Sequence, residues 1–306
     1  MLSICTSRHR EADRARTCRK LISPLLRSGG CIPWLSACGF CKKIDMIHFL
    51  QRLSQAFLHA VFPPRCLVCG AYYNCRENTT CTDASDSVSD HTALYFCESC
   101  REALLQISSP FCSRCGLPFV SREGDNHTCY ECLLEKKYYR RARAFGVYDG
   151  SLMEAVHLLK YRKKTSLCRP LGALARETFL QFWDINTIDL LVSVPLHVKR
   201  LRERGFNQAH LLIKKWAKQD GIPLDSLTLS RGRWTEPQTT LSRAERRKNI
   251  KGAFSVRRPE RIKSQKVLLV DDVYTTGATV NECARVLMKA GAEFVDVLTL
   301  ARAIIS

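Results

Sequence analysis

What this sequence lacks sets its first bounds. No apolar run approaches the roughly 18 residues that a membrane-spanning helix needs. The first 30 residues have no apolar core of the kind found in secretory signals. No stable membrane insertion is therefore expected, and the chain is expected to be cytoplasmic. In that compartment its 17 cysteines read as thiols and metal ligands rather than as a disulfide framework. Acid is scarce as well. Against 48 Lys and Arg stand 29 Asp and Glu, a formal charge of +19. The excess favours anionic partners: phosphorylated small molecules, nucleic acid or an anionic membrane surface. A generally basic surface without a dedicated partner is the plainer reading of the same number. Neither common nucleotide fingerprint is present: no Lys follows a Gly in a Walker A pattern, and no G-x-G-x-x-G occurs.

What the chain does have is organised around Lys266 to Ala290, KVLLVDDVYTTGATVNECARVLMKA. Four apolar residues, Val267 to Val270, are too few for a helix and read as a strand buried on both faces. Asp271 and Asp272 follow, then Thr275, Thr276, Gly277, Ala278 and Thr279, then an amphipathic helix through Val280, Ala284, Leu287 and Met288. A strand passing through a Gly- and Thr-bearing turn into a helix aims backbone N–H groups at one point and forms a phosphate cradle. Two acids beside a phosphate repel it unless they do something else. They can accept hydrogen bonds from vicinal hydroxyls or hold a divalent cation, so a sugar phosphate satisfies both halves. An ordinary strand-to-helix turn with an acidic helix start is the alternative.

These residues closely resemble the 13-residue motif of type I phosphoribosyltransferases, VLLVDDVYTTGAT in this chain. The resemblance implies that Asp271 and Asp272 bind the ribose hydroxyls of 5-phosphoribosyl 1-diphosphate (PRPP). It likewise implies that Thr275 to Thr279 bind its 5′-phosphate.

At 306 residues two domains are expected. Residues 1–45 are Arg-rich, carry scattered cysteines and show no sustained period; the expectation is a disordered or upstream-translated extension, with Met46 as the natural start. A third metal site using Cys38 and Cys41 lacks a second pair nearby. An amphipathic helix is expected over 46–62, ending before Pro63 and Pro64. Residues 63–140 hold four C-x-x-C pairs: Cys66/Cys69, Cys97/Cys100, Cys112/Cys115 and Cys129/Cys132. Each pair makes one knuckle and two knuckles make a tetrahedral four-cysteine zinc site, so a double zinc ribbon is expected; sequential pairing would give two stacked ribbons, and the sequence leaves open how the pairs combine and whether one or two zinc ions bind. The Ser- and Asp-rich insertion from Ala71 to Phe96, with Cys75 and Cys81 as spare thiols, reads as mobile.

From residue 141 onward the composition is that of an α/β domain. Strands are predicted at Ala144 to Tyr148, Ile188 to Val194 and Val295 to Leu300. Helices are predicted at Leu152 to Tyr161, Leu171 to Trp183 and Asn207 to Lys218. Alternation of this kind predicts a parallel sheet flanked by helices, with ligands beyond the carboxyl ends of its strands. The second strand is followed by a loop bearing four basic side chains in six residues, Lys199 to Arg204, which suits a polyanion such as pyrophosphate. Lys199, Arg200 and Arg204 are the candidates, with a solvated basic loop as the alternative and His197 as a structural residue. Arg231 to Gly252 shows no clear period. It reads as a structureless basic lid, with Gln238, Arg243 and Arg246 as its contacts, or as a nucleic-acid contact.

Together the zinc knuckles, VPLHVKRLRERGFNQA, the segment from Gln238 through Arg246 to NIKGAF and the PRPP motif resemble the ComF family of competence-associated phosphoribosyltransferases. The resemblance runs from about Met46 to Arg302. It implies a type I phosphoribosyltransferase fold with structural Zn²⁺, and Mg²⁺ arriving with PRPP. It also implies a place in natural transformation, with incoming single-stranded DNA and a DNA-uptake helicase as partners. The expected reaction displaces pyrophosphate from PRPP by a nitrogen nucleophile. The rival is a scaffold that keeps the phosphate site and works by gripping DNA. The long insertion and the leading 45 residues depart from the family pattern.

Overall fold

The computed structural model describes residues 61–73, 92–121, 123–234 and 243–304. The 1–45 extension, Cys38 and Cys41, the 46–62 helix up to residue 60, Cys75, Cys81 and Gln238 lie outside the described residues. Pro63–Ser306 forms one compact unit. Its elements, in chain order, are short helices α1 (Glu98–Glu102) and α2 (Tyr130–Leu134), strand β1 (Ala142–Val147), α3 (Gly150–Tyr161), α4 (Cys168–Phe182), β2 (Leu190–Ser193), α5 (Val198–Arg204) and α6 (Gln208–Gln219). The chain continues through β3 (Leu224–Asp225), β4 (Leu229–Arg231), α7 (Arg243–Ile250), β5 (Phe254–Val256), β6 (Lys266–Tyr274), α8 (Ala278–Lys289) and β7 (Phe294–Arg302).

Five strands pair in parallel in the order β1-β7-β6-β2-β3. The pleat of β6 and β7 divides the core. Leu268, Val270, Leu298 and Leu300 pack in one layer with Leu152, Leu171, Leu174, Leu212 and Ile213 of α3, α4 and α6. Val267, Leu269, Val295 and Val297 pack in the other with Val280, Cys283, Ala284 and Leu287 of α8. Both faces are covered, which is why β6 opens on a continuous apolar run, Val267 to Val270, and β7 is apolar at most positions, with Asp296 and Thr299 among them. α4 and α6 meet closely at Gly172, where a Cβ would lie 2.5 Å from the Leu212 carbonyl oxygen. The sheet fixes the ligand crevice. After β2 the chain moves outward to β3, and after β6 it moves outward the other way to β7. The strand ends of β2 and β6 are therefore the switch point, where two divergent connections leave an opening.

Three expectations change. β6 does not stop at Val270; it runs through both acids to Tyr274, because β7 continues beside it and pairs Asp271 with Thr299, Val273 with Ala301 and Tyr274 with Arg302. The basic segment read as a loop is helix α5. His197 caps it by accepting from the Lys199 N–H at 3.2 Å, and Gly205 closes it in the left-handed region at φ +83°. The segment read as structureless contains α7, which the sequence hides because RAERRKNI has no apolar stripe. β4 and β5, a small antiparallel pair flanking α7, were also without a sequence signal.

Candidate active site and metal centres

The cysteine pairs come together in sequence order. Cys66, Cys69, Cys97 and Cys100 form one cluster and Cys112, Cys115, Cys129 and Cys132 a second, with the ligand atoms of each within 4.8 Å of one another. Backbone N–H groups point at the sulfurs: Val68 to Cys66 at 3.4 Å, and Cys115 and Cys129 to Cys112 at 3.3 Å each. Burial works against a Cys66 thiolate, but the N–H groups of Cys97, Cys69 and Val68 outweigh it and bring the thiol down to about 7. Four convergent sulfurs with amide support match a tetrahedral tetrathiolate, the donor set that zinc takes in structural sites. The second cluster is seated on the sheet: at Gly116, φ +67°, a Cβ would meet the Ala142 carbonyl oxygen of β1 at 2.7 Å. Just beyond the ribbon, Arg140 clasps the fully buried Asp296 of β7 at 3.0 and 2.7 Å, with Trp183 donating to the same carboxylate at 2.7 Å.

A cavity of about 780 Å³ opens at the switch point. Its wall from β6, the turn after it and the first turn of α8 contains Asp271, Asp272, Thr275 and Thr279; its wall from the end of β2 and α5 contains Pro195, Arg200 and Arg204. The cradle acids and two predicted pyrophosphate ligands thus face one space. Lys199 does not line it; its ammonium lies 5.3 Å from the Trp234 ring centre. Thr276, Gly277 and Ala278 line an adjoining cavity of about 310 Å³ on the ribbon side of the turn. Gly277, at φ +75°, precedes α8, and a Cβ there would collide with the Tyr274 hydroxyl.

The two acids differ in company. Asp272 is 5% exposed and pairs with Lys160 of α3 at 2.9 Å. Burial opposes the Lys160 charge, but Asp272 more than offsets it and raises the ammonium above its ordinary value. Asp271 keeps an opening to the cavity while its carboxyl lies deep. Burial first, and the Asp272 charge second, push it from 3.8 up to about 7. It accepts the Asp272 backbone N–H at 2.9 Å. A carboxyl raised in this way is one whose ionised form a hydrogen-bond donor or a cation entering the cavity would favour.

Several cavity residues escaped the sequence reading. Lys160 brings positive charge from α3. Tyr148, His157, Tyr161 and Trp234 bring aromatic surface. Gln208 is 4% exposed, and its Oε1, in the cavity wall, has no hydrogen-bond partner in the structure. Gln208 stood inside the quoted basic segment. Arg231 opened the segment read as a basic lid; for Lys160 no local pattern distinguished it from other basic residues, and only the sheet order brings it to the acids.

Two family descriptions match the chain: a double zinc ribbon domain over residues 57–133 and a phosphoribosyl transferase domain over residues 209–305. The DNA utilization protein YhgH of Salmonella typhimurium strain LT2 is 34% identical over 209 residues, 67% of this chain and 89% of that protein. Competence protein F of Haemophilus influenzae is 31% identical over 216 residues, 68% and 90% of the two chains. Competence protein ComFC of Bacillus subtilis is 28% identical over 213 residues, 67% and 83%. With the ribbons, the parallel sheet and the motif strand in the family's order, the chain belongs to the ComF family: a double zinc ribbon followed by a phosphoribosyltransferase-type domain.

Proposed function

We propose that this protein binds PRPP with Mg²⁺ and transfers its phosphoribosyl group to a nitrogen acceptor, in the cytoplasm and in service of DNA uptake. The observation that carries the reading is the single cavity shared by Asp271, Asp272, Thr275, Thr279, Arg200 and Arg204. A sugar held by its hydroxyls on the acids and by its 5′-phosphate at the turn would present its diphosphate to α5. The bond from the anomeric carbon to diphosphate breaks, its electron pair leaving with the diphosphate, as the carbon–nitrogen bond forms and the nitrogen's proton passes to solvent. Arg200 and Arg204 stabilise the negative charge that builds on the leaving group, and fixed geometry supplies much of the rest. Asp271 is the carboxylate suited to Mg²⁺, which when bound neutralises diphosphate charge. The N-terminal end of α7, with Arg243 and Arg246, and the neighbouring Gln238 are proposed to close over the diphosphate. The names of the relatives, DNA utilization protein and competence protein, support a role with DNA; incoming single-stranded DNA and a DNA-uptake helicase as partners are part of the proposal.

A second reading, a DNA-gripping scaffold, is favoured by basic side chains outside the cavity, Lys199 and Arg202, both exposed on α5. Pyrophosphate release from Mg–PRPP with candidate acceptors tests the first. DNA binding that falls steeply with salt and survives Asp271→Asn and Asp272→Asn, without any PRPP turnover, would establish the second instead.

A further inference from the structure

We infer that Arg302 is a positioning residue that ties the second four-cysteine cluster, through Tyr274, to the turn Thr275–Ala278. This rests on the reading of that turn as the phosphate site. Arg302 ends β7 and is 4% exposed. Its Nη2 donates to Cys115 Sγ at 3.4 Å, and its guanidinium carbon sits 4.1 Å from the Tyr274 ring centre. Strand register places the two residues opposite one another. The Tyr274 hydroxyl is hydrogen-bonded to the Tyr139 hydroxyl at 2.7 Å and occupies the space a Cβ on Gly277 would need. The contacts therefore run unbroken from a metal ligand to Gly277, the residue that precedes α8.

The charge balance explains why Arg302 is there. Its Nε and Nη1 have no hydrogen-bond partner, and the groups that act most strongly on its charge are Cys115, Tyr274 and Tyr139, none of them a carboxylate. A buried guanidinium of this kind is costly unless an anion compensates it. Four thiolates around one Zn²⁺ carry about two net negative charges, and that is the anion beside it. Losing the metal removes this compensation, so Arg302 must move, and Tyr274 and the turn lose their backing. The ribbon would then act on the phosphate site, with no contact of its own to the sugar.

The test uses the full chain with cobalt in both clusters and three variants: Arg302→Met, Arg302→Lys and Tyr274→Phe. Arg302→Met should shift the sulfur-to-cobalt absorption band and raise amide hydrogen exchange across Thr275–Val280 by about tenfold or more. It should weaken ribose 5-phosphate binding about tenfold while leaving Mg–pyrophosphate binding nearly unchanged, and Arg302→Lys should recover part of each effect. Unchanged exchange at the turn in Arg302→Met, with both metals bound, overturns the inference. If Arg302→Met does not fold, Tyr274→Phe decides. It should raise exchange at the turn without moving the cobalt band, and unchanged exchange overturns the inference equally. Should the unmodified protein fail to bind ribose 5-phosphate, the phosphate reading falls, and the turn exchange still decides whether Arg302 positions those residues.

Discussion

Lys160 and Asp272 meet at 2.9 Å inside the crevice, and this contact separates the roles of two adjacent acids. Successive residues of a strand point to opposite faces. β6 accordingly turns Asp272 toward the α3 layer, where Lys160 supplies a fixed counter-ion. Asp271 is left to find its partner in whatever enters the cavity.

Removing that counter-ion leaves Asp272 buried and uncompensated. Lys160→Met is expected to cost about 3–5 kcal/mol of stability by denaturant titration. Asp272→Asn added to it should restore part of the loss, because the orphaned charge goes with it. Strict additivity of the two substitutions in a double-mutant cycle would show that the pair is not coupled.

The pH dependence follows from Asp271. Its carboxyl lies near 3.8 when exposed and at about 7 in the fold, so the folded state holds its proton more tightly. The ligand-free protein should therefore lose stability as pH rises from about 4 to 7, and Asp271→Asn should abolish that slope. Ligand hydroxyls and Mg²⁺ need the ionised form. Affinity for Mg–PRPP should fall by up to about tenfold per pH unit below 7, beyond the part explained by the ligand's own phosphates. The difference between the unmodified protein and Asp271→Asn isolates that part; parallel profiles would remove Asp271 from the site.

Metal content should be about two zinc ions per chain by elemental mass spectrometry, falling to about one in Cys112→Ser. Strong chelation should raise hydrogen exchange in residues 63–73 and 92–132, whose few apolar side chains cannot hold the knuckles closed alone. A metal-free protein with unaltered protection there would contradict the zinc reading.

Most of the architecture was legible in the sequence because Val267–Val270 is an uninterrupted apolar run, because Val295–Leu300 is apolar but for Asp296 and Thr299, and because cysteine spacing is discrete. The acids and the turn announced themselves by order along the chain. What stayed hidden was set by the third dimension. α5 and α7 are too polar to show an apolar period. Lys160 reaches Asp272 across 112 positions of sequence, a contact that only the sheet order creates. The extension of β6 past Val270 depended on β7 lying alongside it.

The close passage of α4 over α6 gives a packing test. In Gly172→Ala the new methyl would meet the Leu212 carbonyl at 2.5 Å, a contact with backbone that no side-chain rotation relieves. A loss of about 1–3 kcal/mol is expected, with metal content unchanged. A neutral substitution would mean that the two helices separate freely.

The most direct measurement is titration calorimetry of the folded, zinc-loaded chain with PRPP, in the presence and absence of Mg²⁺. Saturable binding that requires Mg²⁺, and that Asp271→Asn or Asp272→Asn removes without unfolding the protein, is the expected result. No heat of binding from the intact chain, or binding indifferent to both acids, would contradict the assignment of the crevice.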